Sequence, residues 1–280
     1  MTTPPQVPIY YINLASRPDR RAFMEEQFDQ LGIVATRVDA VTMDEVPAEL
    51  VAYHASPDSM WRSNPGDLAC GLSHQRMWSL IASAAHREVM ILEDDAVLTP
   101  AFLDFLAPGV LGRVGADLIK LETTRESIQL GTPCVQVGGT TLRELCSSHM
   151  GSAAYLISLD AVLKSLNSPL RREVSVDRLL FGRGGAHLLR SRILQASPSP
   201  SIQLNRVDEM VSAASSDIHV TRMAAPSRKY LRDVAGRTQL QLDHVARLLR
   251  LARRDPQAAF SRRVTVPFAG DPSERERASA

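Results

Sequence analysis

The sequence predicts an α/β protein with a mainly parallel sheet flanked by helices and a helical C-terminal tail. Three observations lead to this prediction. The first 40 residues follow a strand–helix–strand pattern, which favours parallel strands joined by a crossover helix. A later apolar run ends abruptly in three carboxylates at residues 93–95, at the kind of strand end where open α/β sheets bind ligands. The last 60 residues differ in charge from the rest of the chain.

The first unit is defined by its residue types. Residues 9–14 are β-branched and aromatic, which predicts a strand. Residues 16–19 then supply capping residues and an early proline, and apolar residues recur at helical spacing until Gly32. A second strand follows at 33–38. This order predicts a βαβ opening.

The middle of the chain contains a second helix and a buried strand. Residues 44–66 hold three prolines and are expected to form loops. The apolar positions from 67 to 85 have helical spacing. Residues 89–92 form a continuous apolar run, as in a strand that is buried on both faces.

The remaining elements complete a body that is expected to end near residue 205. Strands are predicted at 118–121, 134–137 and 152–157, with a short helix at 158–166. We expect a domain at 1–205, and at 206–280 a basic helical extension whose last ten residues are disordered.

Composition excludes several classes of protein. A chain of 280 residues with 44% hydrophobic residues can bury a full core, so disorder of the whole chain is excluded. No stretch free of charged residues exceeds 16 residues, which is too short to span a bilayer. The three cysteines have no CxxC spacing, so no disulfide framework or zinc site is indicated. Because the N-terminus has no basic residue before Arg17, no secretory signal is indicated and a cytoplasmic location is predicted.

The charge is distributed unevenly along the chain. Residues 1–220 carry 19 basic and 25 acidic side chains, net −6, whereas residues 221–280 carry 13 and 6, net +7. An acidic body does not favour nucleic acid as a partner. Residues 221–254 combine leucines with arginines, which predicts an amphipathic helix on an anionic membrane, at the inner face of the cytoplasmic membrane. The alternative is a helix packed on the body with its arginines in solvent.

The three consecutive carboxylates are the strongest chemical signal. Like charges this close repel one another unless a cation neutralises them, and hard oxygen ligands suit Mg²⁺ or Mn²⁺. A cation at this position could clamp a diphosphate. We predict Asp95 and Glu93 as metal ligands, with Asp94 beside them as a catalytic residue. An acidic loop in solvent is the alternative.

Other polar residues lie close to predicted strand ends. Asn13, Arg17, Arg20 and Arg21 follow the first strand, where arginines can pair with phosphate, although an exposed helix face has the same composition. Of these residues, Asn13, Arg17 and Arg21 are predicted to contact the donor. His74 is a candidate for the pocket wall or for a hydrogen-bonded core histidine. Asp177 is a candidate general base or a helix N-cap.

These motifs together resemble glycosyltransferase family 25, which includes bacterial lipooligosaccharide and animal collagen galactosyltransferases. The resemblance covers about residues 8–205 and implies a GT-A-like nucleotide-sugar fold, inverting transfer from a UDP-sugar, and a carboxylate motif for the metal and the diphosphate. Thr42–Met43 and Ala154 stand where the family often has glycine. The motifs that carry the resemblance are Tyr11–Leu14 with Arg17–Arg21, Asp39–Val41, Cys70–His74 with Trp78, Ile91–Ala96, Gly151–Ser158 and Val176–Asp177.

The resulting prediction is a hexosyltransferase of lipopolysaccharide biosynthesis. It would use a UDP-sugar such as UDP-galactose, Mn²⁺ or Mg²⁺, and a glycan or glycolipid acceptor, with His74 and Tyr155 in the pocket wall. Two alternatives stay open. A sugar nucleotidyltransferase would also need a metal and a nucleotide, but the Gly-rich phosphate loop of that class is missing here. A catalytically inactive carbohydrate- or nucleotide-binding protein could have the same fold.

Overall fold

The computed structural model describes residues 6–56, 59, 61–207, 241–242, 245–246, 249–250, 252–253, 255–256, 261–272 and 274. Six α-helices lie within residues 6–207. The helices are α1 Pro18–Leu31, α2 Ala48–Ala55, α3 Pro65–Ala84, α4 Val110–Val114, α5 Leu159–Asn167 and α6 Val176–Phe181. The strands are β1 Ile9–Asn13, β2 Thr36–Asp39, β3 Glu88–Glu93, β4 Ala96–Leu98, β5 Leu118–Lys120, β6 Glu122–Thr123, β7 Ser127–Val137, β8 Thr140–Leu145, β9 Ala154–Ser158, β10 Ile193–Ser197, β11 Ser201–Gln203 and β12 Arg263–Thr265.

A nine-stranded sheet forms the centre of the molecule, in the order β12-β7-β8-β10-β5-β9-β3-β1-β2. Strand β1 pairs in parallel with β2 and β3, and β5 with β10. The other five neighbouring pairs are antiparallel. The α/β class is therefore confirmed, with a GT-A-like arrangement, but the sheet is mixed rather than mainly parallel.

The direction of β9 accounts for two of the five antiparallel pairs. Residues 146–153 follow the β7–β8 hairpin, and β9 enters the gap between β3 and β5 from the edge where these two strands end. A strand that starts where its neighbours end must run antiparallel to them. The apolar pattern of residues 152–157 predicts a strand but carries no information on its direction.

Both faces of the sheet are covered, as the apolar run of β3 predicts. Val89 and Ile91 belong to one buried cluster, which includes Trp78 from α3. Met90 and Leu92 belong to another, which includes Phe28 from α1. The alternation follows from the two-residue period of a strand.

The boundaries of α1 and α3 follow the signals in the sequence. Helix α1 ends at Gly32, whose φ of 65° is left-handed. Helix α3 begins two residues before the prediction, because Asn64 accepts a hydrogen bond from the backbone N–H of Asp67 and Pro65 occupies the first turn.

In contrast, α2 lies within residues 44–66, where only loops were expected. Its N-cap is Pro47, so the proline that indicated a loop precedes a helix.

The C-terminal part of the chain returns to the sheet. Strand β12 pairs with β7 at the sheet edge, and Val266 and Phe268 are buried. Asp271, the first residue of the predicted disordered end, pairs with Arg125 at 2.6 Å, whereas residues 275–280 lie outside the described residues. Most of the predicted membrane helix at 221–254 also lies outside them, and its described positions between 241 and 253 are helical. In the described part of the chain, no helix has the length and apolar character needed to cross a membrane.

Candidate active site

Several strand ends meet at one edge of the sheet. Strands β1, β3 and β5 point in the same direction and end in Asn13, Glu93 and Lys120. Strand β9 starts at this edge, so the residues just before it, 151–153, lie beside Glu93. This edge carries most of the residues that the sequence analysis selected.

Glu93 is held by two side chains. Its Oε1 accepts hydrogen bonds from Ser152 Oγ at 2.6 Å and from the ring Nε2 of His74 at 3.2 Å. Burial would raise the pKa of Glu93, but the hydrogen bonds and charge of its neighbours, His74 first, outweigh burial and lower it. Glu93 is therefore held as a carboxylate.

His74 is buried in a hydrogen-bonded chain behind Glu93. Its Nδ1 lies 2.8 Å from the hydroxyl of Tyr155, and that hydroxyl lies 3.1 Å from the indole Nε1 of Trp78. Tyr155 is fully buried, and burial raises the pKa of its phenol. The two sequence interpretations of His74 are thus compatible, because this core histidine also contacts a site carboxylate.

Asp94 lies between the first strand and α1. Its Oδ2 accepts a 2.8 Å hydrogen bond from the amide of Asn13, and its Oδ1 accepts one of 2.8 Å from Arg20. Asn13 is itself buried and accepts a hydrogen bond from Arg37 at 3.0 Å. Asn13 and Arg20 together therefore fix the position of Asp94.

Asp95 is a buried carboxylate with one oxygen that lacks a partner among the described residues. It is 7% exposed, and its Oδ1 has no hydrogen-bond partner among the described residues. Its Oδ2 lies 3.9 Å from Arg20. Burial, followed by the charge of Glu93, raises the pKa of Asp95 to about 7. A buried carboxylate oxygen without a partner, next to two further carboxylates, fits a hard divalent cation.

The arginines after the first strand have different positions. Arg17 pairs with Asp19 at 2.8 Å, and Arg21 pairs with Glu25 at 2.8 Å on the exposed side of α1. Arg20, which the sequence analysis named but did not choose as a donor contact, pairs with the acidic cluster. The roles predicted for Arg17 and Arg21 in donor binding stay predictions.

Asp177 lies in the first turn of α6 and is half-buried. Its Oδ2 accepts a hydrogen bond from the backbone N–H of Gly151 at 3.3 Å, and its Oδ1 accepts one from Ser175 Oγ at 2.5 Å. Ser175, and not Asp177, occupies the N-cap position. Asp177 thus contacts the same 151–153 segment that contacts Glu93.

A buried ion pair beneath these residues was missed by the sequence analysis. Lys120 Nζ lies 2.7 Å from Glu122 Oε1, and both side chains are fully buried. Burial lowers the pKa of Lys120 and raises that of Glu122, and the pairing opposes both shifts. A signal was present in the sequence, because a lysine and a glutamate two residues apart in an apolar strand share one face.

A second set of potential metal ligands overlaps the site. Cys70, His74 and Glu93 each offer a ligand atom within 4.8 Å of the others. Both ring nitrogens of His74 already have partners, however, and burial raises the pKa of the Cys70 thiol well above its ordinary value. A protonated thiol is a poor ligand, so this set as it stands does not favour a cation.

Comparison with known proteins identifies the family of the chain. The model of glycosyltransferase family 25, described as an LPS biosynthesis protein family, matches residues 6–180. The protein belongs to glycosyltransferase family 25. The matched region contains the acidic cluster, His74, Tyr155, Lys120 and Asp177.

Relatives of this family 25 protein carry two kinds of name. A "Glycosyltransferase 25 family member" of Drosophila melanogaster is 34% identical over 189 residues, and one of Aedes aegypti is 30% identical over 189 residues. An "Inactive glycosyltransferase 25 family member 3" of Mus musculus is 30% identical over 190 residues. Each match covers 61% of this chain and 30–31% of the relative. The chain therefore spans less than a third of these relatives.

Proposed function

We propose that the protein is a metal-dependent, inverting glycosyltransferase that transfers a hexose such as galactose from a UDP-sugar to a lipopolysaccharide or other glycan acceptor. The supporting observation is the carboxylate cluster at the end of β3, where Asp95 Oδ1 is buried without a partner in a family 25 chain. The family match gives no support to a sugar nucleotidyltransferase.

In this proposal, Asp95 and Glu93 hold Mn²⁺ or Mg²⁺. The ion, when bound, neutralises the charge that develops on the leaving diphosphate. Ser152 and His74 keep Glu93 in its charged form and in one orientation. Tyr155 acts through His74, and we assign both residues to the wall behind the donor site.

Asn13 and Arg20 position Asp94 on the donor side. Arg20 contacts Asp94 at 2.8 Å and lies 3.9 Å from Asp95. A guanidinium at this position can pair with a phosphate oxygen while it balances the carboxylates. Arg17 and Arg21, one turn of α1 apart, are proposed to contact the donor after exchanging their local carboxylate partners.

Asp177 is the proposed general base. Its three hydrogen bonds, from Gly151 N–H, Ser175 Oγ and Arg178 N–H, orient the carboxylate and leave acceptor capacity for an acceptor hydroxyl. The acceptor oxygen attacks the anomeric carbon as the bond from that carbon to the diphosphate breaks. The hydroxyl proton passes to Asp177, and UDP leaves from the opposite face, so the configuration is inverted.

An inactive binding protein is the second candidate, because the mouse relative is named inactive. Such a protein would bind the nucleotide sugar through the same residues without transfer. Binding and transfer must therefore be measured separately.

The test is a screen of nucleotide sugars for nucleoside diphosphate release, with and without Mn²⁺ and with glycan acceptors. We expect release from a UDP-hexose only with the cation, and loss of both release and cation binding in Asp95→Asn. Asp29→Asn, which changes an exposed carboxylate on α1, is the matched control. Full release in excess chelator would overturn the metal site, and donor binding without release would favour the inactive protein.

A further inference from the structure

The three residues before β9 connect three carboxylates and one cation. Gly151 N–H donates to Asp177 Oδ2 at 3.3 Å, and Ser152 Oγ donates to Glu93 Oε1 at 2.6 Å. Ala153 N–H donates to Glu122 Oε1 at 3.0 Å. We call residues 151–153 the carboxylate bridge. The proposed base and a proposed metal ligand are thus held by adjacent residues of one short segment.

Lys120 fixes this bridge from below. Its Nζ donates to the carbonyl oxygen of Gly151 at 2.5 Å and to Glu122 at 2.7 Å, and lies 4.4 Å from the centre of the Phe181 ring. The side chain is fully buried. A lysine gives up its hydration only where other groups replace it, and here they are a carboxylate, a carbonyl oxygen and an aromatic face.

Gly151 gives the carboxylate bridge a backbone conformation that lets it lie against the Lys120–Glu122 ion pair. Its φ of 98° is a left-handed conformation, and an added Cβ would lie 2.7 Å from Glu122 Oε1. Only glycine allows the bridge to approach the buried ion pair this closely. The bridge and the ion pair are therefore built to fit each other.

We propose that Lys120, paired with Glu122, is a positioning residue that sets the distance between Asp177 and Glu93 through the carboxylate bridge. This inference rests on the proposed function. Lys120 touches neither substrate nor metal. It holds the Gly151 carbonyl, so that the Gly151 N–H and the Ser152 hydroxyl reach their two carboxylates at the same time.

A double variant separates positioning from stability. Lys120→Met alone leaves Glu122 as a buried unpaired charge and can unfold the protein, whereas Lys120→Met with Glu122→Gln removes both charges, a change that folded proteins often tolerate. In the double variant the amide can still accept from Ala153, but the Gly151 carbonyl loses its donor. Lys164→Met is the control, because Lys164 also donates to a backbone carbonyl, that of Arg190.

Two readouts test the proposal. Hydrogen exchange of the bridge amides should become at least about tenfold faster in the double variant, and kcat should fall about 10–100-fold with an unchanged unfolding midpoint. Lys164→Met should change neither. Unchanged exchange would overturn the positioning role whether or not the protein is active. Faster exchange with unchanged kcat would overturn its importance for transfer. A wild-type protein without turnover would instead reject the proposed function, while exchange still decides the role of Lys120.

Discussion

The indole Nε1 of Trp78 donates a 3.1 Å hydrogen bond to the phenolic oxygen of Tyr155. Because an indole can only donate, this oxygen is the acceptor of that bond. When a neutral His74 donates from Nε2 to the Glu93 carboxylate, its Nδ1 is an acceptor, and the phenol donates its own proton to it. A neutral His74 then carries its proton on Nε2, which faces Glu93. The hydrogen bonds from Trp78 to Tyr155 and from Tyr155 to His74 therefore support the tautomer of His74 that donates to Glu93, the candidate metal ligand.

Removing the Tyr155 hydroxyl should therefore affect both stability and the site. Tyr155→Phe leaves the Trp78 N–H and one nitrogen of His74 buried without partners, at a cost of about 1–3 kcal/mol of unfolding free energy. It also frees His74 to reverse its tautomer, so that Mn²⁺ affinity should fall. Urea unfolding and Mn²⁺ titration measure the two effects. Tyr53→Phe, at an exposed position, is the control, and equal behaviour of the two variants would contradict the chain from Trp78 to Glu93.

The role of Asp177 predicts a selective loss of turnover. Asp177→Asn keeps the hydrogen-bond acceptor for Gly151 but loses the basicity, so kcat should fall about 100-fold or more with donor binding nearly unchanged. Steady-state kinetics and donor titration measure this. Asp160→Asn is a matched control, because Asp160 lies in the first turn of α5 and is exposed. Loss of donor affinity without loss of kcat would point to a structural role.

Local features of the sequence predicted a large part of this architecture. The apolar run of β3 and its three final carboxylates identified the strand, its burial and the edge that carries the site. The periodicity of α1 and α3 and the glycine after α1 identified these helices. Each of these features depends on only a few neighbouring residues, so it can be recognised in the sequence without knowledge of the tertiary structure.

Two features could not be predicted from the sequence: which of two neighbouring arginines faces the acidic cluster, and which strands pair across a long sequence separation. Arg20 and Arg21 are adjacent in sequence but differ by about 100° around the helix, so only the packing of α1 shows that Arg20 faces Asp94. The pairing of β12 with β7 joins residues more than 120 positions apart. Its three residues have no pattern strong enough to predict a strand.

Buried histidines should make stability depend on pH. Burial, the largest cause for each, lowers the pKa of His187 and of His149 to about 3, well below the ordinary value. The unfolded chain takes up protons near pH 6.5 while the folded protein does not. The free energy of unfolding is therefore unaffected by these histidines above pH 6.5. It decreases as the pH falls from 6.5 towards 3, by up to about 1.4 kcal/mol per pH unit for each histidine. His187→Gln should reduce this slope, measured by urea unfolding from pH 7 to 4, and an unchanged slope would contradict the assignment.

The tail is proposed to bind anionic membranes. Leu242, Val245 and Leu249 are 58%, 52% and 59% exposed and follow helical spacing. Vesicles of phosphatidylserine and phosphatidylcholine should bind the protein at low salt and release it as salt rises, because the Debye length falls to about 8 Å at physiological ionic strength.

Substitution tests this better than truncation at residue 220, which would also remove β12. Replacing Leu242, Val245 and Leu249 by serine should reduce cosedimentation with these vesicles at least about tenfold. Leu163→Ser, at an exposed position on α5, should not. If the wild-type protein does not sediment with anionic vesicles at low salt, the membrane role is wrong.

The C-terminal segment is expected to contribute to the stability of the body formed by residues 6–207. Phe268 is 5% exposed, and the preceding buried residue Val266 accepts a 2.8 Å hydrogen bond from Thr123. Phe268→Ala should therefore lower the free energy of unfolding by about 3–5 kcal/mol, whereas Phe268→Leu, which keeps most of the volume, should cost less than about 1.5 kcal/mol. Urea unfolding measures both. Because Thr123 follows Glu122 directly, loosening this segment should also speed hydrogen exchange at β6. Equal midpoints for the two variants, with exchange unchanged, would show that residues 261–272 do not stabilise the body.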